Sequence, residues 1–148
     1  MDEKEILKDI APCGLSCRKC FAFKAGDIGK HSRTLRDSLG NFDVYAERFS
    51  NFLPQFGDYA AFKSLLTYLA SPDCEGCRMG TCKWPDCDVQ ACFREKGVNF
   101  CFECDEFPCE KTNFDQHLKQ RWIQMQERIK EIGVAAYYEE TKDRPRYR

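Results

Sequence analysis

Eleven cysteines fall in two short stretches of this 148-residue chain, and they constrain its fold more than any other feature. Their number is odd, and the N-terminal residues lack the apolar segment of a secretory signal, so a disulfide framework is disfavoured. The pattern predicts reduced thiols in a cytoplasmic protein, where clustered cysteines typically bind metal. Three lie near the start and eight lie between residues 74 and 109: Cys13, Cys17 and Cys20, then Cys74, Cys77, Cys82, Cys87, Cys92, Cys101, Cys104 and Cys109.

Two Cys-x-x-Cys pairs stand out, Cys74 with Cys77 and Cys101 with Cys104. Two intervening residues let a tight turn direct both sulfurs at one ion, and four thiolates suit tetrahedral Zn²⁺. Further cysteines lie between the pairs, so the spacing leaves open whether the pairs share an ion. The expected cofactor is one or two zinc ions, with an iron–sulfur cluster as the alternative. The predicted ligands are Cys74, Cys77, Cys101, Cys104, Cys109, Cys92, Cys87, Cys17, Cys20 and Cys13.

Cysteines also recur at intervals of five residues, from Cys77 through Cys82 and Cys87 to Cys92. Five residues advance about 140° around a helix, so neighbours in this series cannot share one helical face. They are therefore expected to lie in loops or to belong to different sites. The stretch from Cys87 to Gly97 suits a short helix, and Cys109, after Pro108, is expected to open a helical turn.

The first three cysteines have Cys-x-x-x-Cys-x-x-Cys spacing, which resembles the iron–sulfur motif of radical S-adenosylmethionine enzymes. Lys19 stands where those enzymes usually carry an aromatic residue, and the chain is far shorter than their barrel. The trio is instead expected to fold back onto the later cysteines and lend ligands there.

The stretches without cysteine, 21–73 and 110–148, carry apolar residues at steps of three and four, which is typical of amphipathic helices. Thr112 or Asn113 is expected to cap the long C-terminal helix, Gly133 is expected to end it, and the aromatic stripes are expected to form the core. No segment of real length alternates with period two. The sequence predicts one mainly α domain over 1–148, a small helical domain with a zinc-knuckle-like insert at 74–109. The predicted helices cover 26–39, 42–53, 59–69, 113–132 and 134–141.

Charge and hydropathy exclude several classes of protein. The net charge is −1, which disfavours a general nucleic-acid binder, and bound zinc thiolates would make the charge more negative. No apolar run approaches the ~18 residues that a membrane-spanning helix needs. The basic tail Arg144–Arg148 is expected to be a solvated terminus.

The cysteine motifs resemble a cysteine-rich prokaryotic family of unknown function. The opening Cys-Gly-Leu-x-Cys-x-x-Cys is matched from Cys13 to Cys20, and a Cys-x-Gly-Cys follows at Cys74. The closing Cys-x-x-Cys-x-x-Phe-Pro-Cys-Glu is matched from Cys101 to Glu110. Cys82 fits this pattern least well. The resemblance implies zinc binding and implies no activity or substrate.

Three functional hypotheses follow. The first is a structural zinc protein that acts as a scaffold for an unidentified protein partner, because a site filled by four thiolates has no open position for catalysis. The second is an iron–sulfur or thiol-based redox protein or enzyme. The third is metal delivery or redox sensing through the surplus cysteines. No catalytic residue is assigned; His31 and His117 are the only imidazoles, and His117 with Cys109 would allow a Cys₃His site.

Overall fold

The computed structural model describes residues 2–148, and helices account for the regular structure of that range. No strand occurs there; the β-type pairing consists of two isolated bridges, Ile10 with Ser16 and Phe23 with Cys74. The predicted mainly α class is confirmed. No helix of residues 2–148 has the length and apolarity needed to cross a membrane. The seven α-helices are α1 (Glu3–Asp9), α2 (Asp27–Leu39), α3 (Asp43–Ser50), α4 (Tyr59–Ala70), α5 (Val89–Glu95), α6 (Gln116–Ile132) and α7 (Val134–Thr141).

The ends of the helices agree with the sequence prediction at some positions and differ from it at others. Gly133 ends α6 as predicted, with its N–H donating to the Ile129 carbonyl. Asp115 caps the start of α6, because its Oδ1 accepts a hydrogen bond from the Leu118 amide at 2.9 Å. The prediction of Thr112 or Asn113 as the cap is wrong. Asn113 takes a positive φ of 51°, which is not a helical conformation, and the helix begins only at Gln116. Helix α1 was missed, since seven residues are too few to display an apolar stripe.

Helix α6 holds the core together. Trp122 is fully buried and packs edge-to-face against Phe107, with 4.9 Å between ring centroids. Gln126 is also fully buried; its Oε1 accepts from the Phe102 amide at 2.8 Å, and its Nε2 donates to the Pro12 carbonyl at 3.2 Å. One side chain thus joins the N-terminal segment to the cysteine-rich segment.

The N-terminal segment lies against α6 and α7. The Tyr138 hydroxyl donates to Asp9 Oδ2 at 3.3 Å, and the Tyr137 hydroxyl donates to the Gly14 carbonyl at 3.1 Å. Gly14 has a φ of +85°, and a Cβ there would lie 3.1 Å from Gln126 Nε2. Only glycine combines that backbone conformation with such close packing.

Helices α2, α3 and α4 form a unit with little core of its own. Ala46 and Leu66 are buried, but Tyr45 and Leu65 remain more than half exposed. The prediction that the aromatic stripes are core is wrong for this outer face, because no other element of residues 2–148 covers it. The inner rings pack on one another instead, as Phe42 does on Phe49 with 5.8 Å between centroids.

Candidate metal centre

All eleven cysteines are free thiols, and together they line two separate cavities. We call these the four-cysteine cavity, of about 30 Å³, and the seven-cysteine cavity, of about 390 Å³. The first is lined by Cys92, Cys101, Cys104 and Cys109. The second is lined by Cys13, Cys17, Cys20, Cys74, Cys77, Cys82 and Cys87.

The four-cysteine cavity is built from three adjacent pieces of chain. Cys92 lies on α5, and Cys101 begins a single 3₁₀ turn. The Cys104 sulfur accepts a hydrogen bond from the Glu106 amide at 3.5 Å. Cys109 lies in irregular backbone, so its predicted helical turn is wrong.

Ion pairs hold the loop of the four-cysteine cavity against α5. The Glu106 carboxylate lies 2.5 Å from Lys96 Nζ and 2.9 Å from Lys111 Nζ. The hydrogen bonds from Lys96 and Lys111 lower the pKa of Glu106 to about 2. These are surface contacts, so they orient the loop more than they stabilise it.

Trp122 supplies an unused hydrogen-bond donor beside the four thiols. Its indole N–H is buried and has no hydrogen-bond partner within residues 2–148. Burial raises the pKa of the Cys101 thiol, and the nearby Trp122 N–H lowers it. A buried donor without an acceptor is unfavourable, and a thiolate at Cys101 would provide the acceptor.

At five cysteines, the backbone amide of the residue two positions further on faces the sulfur. Hydrogen bonds to sulfur favour the ionised form that binds metal. Burial raises the pKa of Cys13 and of Cys87 to about 11, and the amides of Leu15 and Val89 oppose it. The pairs are Cys13 with Leu15, Cys74 with Gly76 (3.3 Å), Cys82 with Trp84 (3.5 Å), Cys87 with Val89, and Cys104 with Glu106 (3.5 Å).

The seven-cysteine cavity brings distant segments together. A parallel bridge joins Phe23 to Cys74: the Cys74 amide donates to the Ala22 carbonyl at 2.9 Å, and the Lys24 amide donates to the Cys74 carbonyl at 2.8 Å. The predicted return of the N-terminal trio onto the later cysteines is confirmed. Cys77 is only 5% exposed; its thiol hydrogen-bonds to Cys82, which raises the pKa of Cys77 and lowers that of Cys82.

The basic tail closes one side of the seven-cysteine cavity, so its prediction as a solvated terminus is wrong. Arg146 Nη1 donates to the Ser16 carbonyl at 2.6 Å. The Tyr147 hydroxyl accepts from the Phe21 amide at 3.1 Å and lies 3.7 Å from the Cys20 sulfur. Arg121 anchors the tail by donating to the Arg146 carbonyl at 2.8 Å.

The structure separates cysteines that the spacing left unassigned. The two Cys-x-x-Cys pairs line different cavities, and so do Cys87 and Cys92. Cys82, absent from the predicted ligands, lies with six of them; its regular five-residue spacing was the available signal. His117 lines the seven-cysteine cavity and Cys109 the other, so the structure does not bring a Cys₃His site together.

The donor chemistry of both cavities suits a thiophilic metal, but the sulfurs are not gathered around a point. Across residues 2–148, no three His, Cys, Asp or Glu side chains are arranged to hold an ion. Rotation about the Cα–Cβ bonds moves each sulfur without moving the backbone. A metal ion can supply the free energy for this rearrangement, because metal binding is coupled to folding.

Comparison with known proteins identifies a family without an activity. Neither the curated proteins nor the solved structures gave a match. One protein-family model matches residues 9–114, more than two thirds of the chain and every cysteine in it. The chain therefore belongs to the family described as Protein of unknown function (DUF3795).

Proposed function

We propose that this chain is a zinc-binding protein with a structural site formed by Cys92, Cys101, Cys104 and Cys109. The observation that carries the proposal is the four-cysteine cavity itself. Four thiols surround about 30 Å³ of space beside a buried indole N–H that lacks an acceptor. Zn²⁺ bound there by four thiolates would have a filled coordination shell, which suits a structural role.

The proposed ion would cross-link α5 and the cysteine-rich loop, which also meet through the ion pairs of Glu106. Cys92 would attach α5, and the other three ligands would attach the loop over 101–109. This loop lies against Trp122 of α6, through the edge-to-face contact of Phe107. The zinc would thus hold the cysteine-rich segment on the core. The proposal places the protein in a reducing compartment, the cytoplasm, in keeping with eleven free thiols.

The proposed biological role is that of a scaffold for a protein partner. Helices α3 and α4 and the turn between them present exposed apolar side chains, among them Tyr45, Phe52, Leu65 and Tyr68, each more than half exposed. A group of large exposed apolar side chains of this kind is typical of interaction sites.

An iron–sulfur or thiol-based redox protein is the second candidate. It is favoured by the seven-cysteine cavity, which offers more thiols than one zinc ion uses, and Cys₄ ligation also suits iron–sulfur clusters.

Elemental analysis with a visible absorption spectrum tests both candidates, on protein purified anaerobically without added metal. We expect zinc in a colourless solution. Cys101→Ser should lose one zinc equivalent, while Cys20→Ser, altered in the other cavity, should keep that equivalent. Iron with a visible absorption band would contradict the zinc proposal and support the redox alternative.

A further inference from the structure

The seven-cysteine cavity has the dimensions of a pocket for a small organic molecule. Its volume is about 390 Å³, and small-molecule sites typically occupy about 300–1,000 Å³. Its wall is mostly apolar, because free thiols and aromatic rings make up much of it, with Phe21, Trp84 and Phe114 among the rings. A few polar groups in such a wall are what fixes the orientation of a bound molecule.

The lining of this cavity carries positive charge that no carboxylate offsets. Arg121 and Arg146 belong to the lining, and within residues 2–148 neither forms a salt bridge with an Asp or Glu side chain. Asp115 is the one acidic side chain of the lining, and its Oδ1 accepts the hydrogen bond that caps α6. A hydrogen bond with Cys77 lowers the pKa of Cys82 to about 6, so a Cys82 thiolate offsets at most one of the two arginines.

Arg146 is the residue placed to hold an anion. Its side chain is half-buried, and its Nη1 donates to the Ser16 carbonyl at 2.6 Å, which fixes the guanidinium at the cavity. Nε and Nη2 have no hydrogen-bond partner within residues 2–148, and neither is fully enclosed as the Nε of Arg121 is. These two nitrogens lie on one edge of the guanidinium, the edge that binds two oxygens of a carboxylate or phosphate group side by side.

Arg121 holds the tail that carries Arg146. Its Nη2 donates to the Arg146 carbonyl at 2.8 Å, and its Nη1 donates to the main-chain oxygen of Arg148 at 3.4 Å. The Tyr147 hydroxyl accepts from the Phe21 amide on the opposite side of the tail. The tail is therefore attached to the wall of the cavity through side chains on both sides of Arg146, and Arg121 adds a second positive charge there.

We propose that the seven-cysteine cavity binds a small organic anion. The Nε and Nη2 of Arg146 hold its carboxylate or phosphate group, and its apolar body lies among the thiols and aromatic rings. Arg121 is a positioning residue that keeps the tail in place. The proposal does not depend on the zinc site of the four-cysteine cavity, because the two cavities share no lining residue.

Isothermal titration calorimetry of the full-length, reduced protein tests the requirement for charge. The probes are octanoate, octyl phosphate and 1-octanol, which share an apolar body and differ in the head group. We expect an anion to bind about tenfold or more tightly than the alcohol, since hydrogen bonds between charged groups are the strong ones. The tighter of the two anions identifies the head group. Anions that bind no more tightly than 1-octanol, or that do not bind at millimolar concentration, overturn the proposal.

Arg146→Met tests the proposed contact, because methionine keeps an apolar stem and removes the guanidinium. It should weaken anion binding about tenfold and leave the affinity for 1-octanol unchanged, which shows that the cavity persists. Arg144→Met is the matched control, since Arg144 is exposed in the same tail, and it should change neither affinity. Unaltered anion binding in Arg146→Met overturns the role of Arg146. The comparison of head groups in the unmodified protein remains the test if this variant does not fold.

Two further variants separate the charge from the position of the tail and locate the bound probe. Tyr147→Phe removes the hydroxyl that accepts from the Phe21 amide and keeps Arg146, so the preference for the anion should remain. Loss of that preference would show that attachment of the tail, and not the guanidinium, is responsible. Leu65→Lys alters the exposed face of α4 and should leave all three affinities unchanged. Weaker binding in this variant would place the probe on α4 and overturn the proposed site.

Zinc analysis distinguishes an organic anion from a metal–thiolate site as the partner of Arg146. Cys20 lines the seven-cysteine cavity, so Cys20→Ser should leave the zinc content of the protein unchanged if an organic anion occupies this cavity. Loss of a metal ion in Cys20→Ser would show that metal-bound thiolates supply the negative charge, and it would overturn the proposal.

Discussion

The two cysteine cavities differ in how the chain assembles them. The four-cysteine cavity draws on residues within 89–122 and lies beside the buried Trp122. The seven-cysteine cavity joins the N-terminal trio, the middle of the chain and the C-terminal tail. Closing long segments of chain costs conformational entropy, which contacts such as the Phe23–Cys74 bridge and the tail must offset. The comparison suggests that the small cavity supports the core and that the large one ties the chain ends to it.

Removal of all zinc should have the largest effect. A structural zinc ion contributes an apparent binding free energy of about 10–16 kcal/mol in zinc-finger peptides, comparable with a typical unfolding free energy of about 5–15 kcal/mol. We expect a strong chelator to abolish the cooperative thermal transition measured by circular dichroism, and added zinc to restore it. An unchanged melting temperature in metal-free protein would show that neither cavity depends on zinc.

Loss of one ligand should separate the two cavities. Cys101→Ser should lower the unfolding free energy by about 4 kcal/mol or more, because the site beside Trp122 loses its ion. Cys20→Ser, at a half-buried position of the other cavity, should cost about 1–2 kcal/mol. Urea unfolding of both variants measures the difference. Equal losses would remove the distinction between a cavity that supports the core and one that ties the ends.

The indole N–H of Trp122 should matter through the metal. Trp122→Phe keeps an aromatic ring and removes the donor beside Cys101, so zinc affinity at the four-cysteine cavity should fall about 10- to 100-fold. Trp84→Phe is the matched control, because the Trp84 N–H already donates to the Asn113 carbonyl at 3.2 Å. Competition with a chelator of known affinity measures both. Identical affinities in the two variants would exclude the proposed N–H to thiolate contact.

The exposed face of α4 should give the smallest effect. Leu65 is 58% exposed, so Leu65→Lys should change the unfolding free energy by no more than about 0.5 kcal/mol. The adjacent Leu66 is 6% exposed, and Leu66→Lys should cost several times as much. Thermal melting compares the pair. A large loss in Leu65→Lys would show that this face is covered in the folded protein.

Much of the fold could be predicted because its signals are local. The steps of three and four in apolar residues located α3, α4 and α6, and α2 and α7 were also predicted. The failures arose where a tertiary contact overrides a local signal. Asn113 reads as a helix cap, but its amide Nδ2 donates to the Pro85 carbonyl at 3.0 Å and its backbone takes a positive φ. The apolar pattern of α4 predicts that Leu65 is part of the core. Its burial would require another element to pack against this face, and none does so within residues 2–148.

The cysteine spacing predicted the candidate ligands other than Cys82, and it did not predict which of them line one cavity. Cysteine spacing indicates which sulfurs share a turn, but it does not indicate which distant segments of the chain lie together. Cys77 and Cys101 line different cavities. Gln126 of α6 joins the segments of Cys13 and Cys101, through the Pro12 carbonyl and the Phe102 amide. The membership of Cys82 depends on contacts with Cys77 in the folded chain.

By itself the sequence determined a mainly α chain and predicted that its cysteines bind metal, because helical periodicity and the spacing of Cys-x-x-Cys turns are properties of neighbouring residues. Only the tertiary structure decided that four sulfurs lie beside Trp122 and seven lie together beneath the basic tail. That division depends on contacts between residues more than a hundred positions apart, such as Arg146 with Ser16. The spacing of neighbouring residues does not predict such contacts, since packing and hydrogen bonding establish them only in the folded chain.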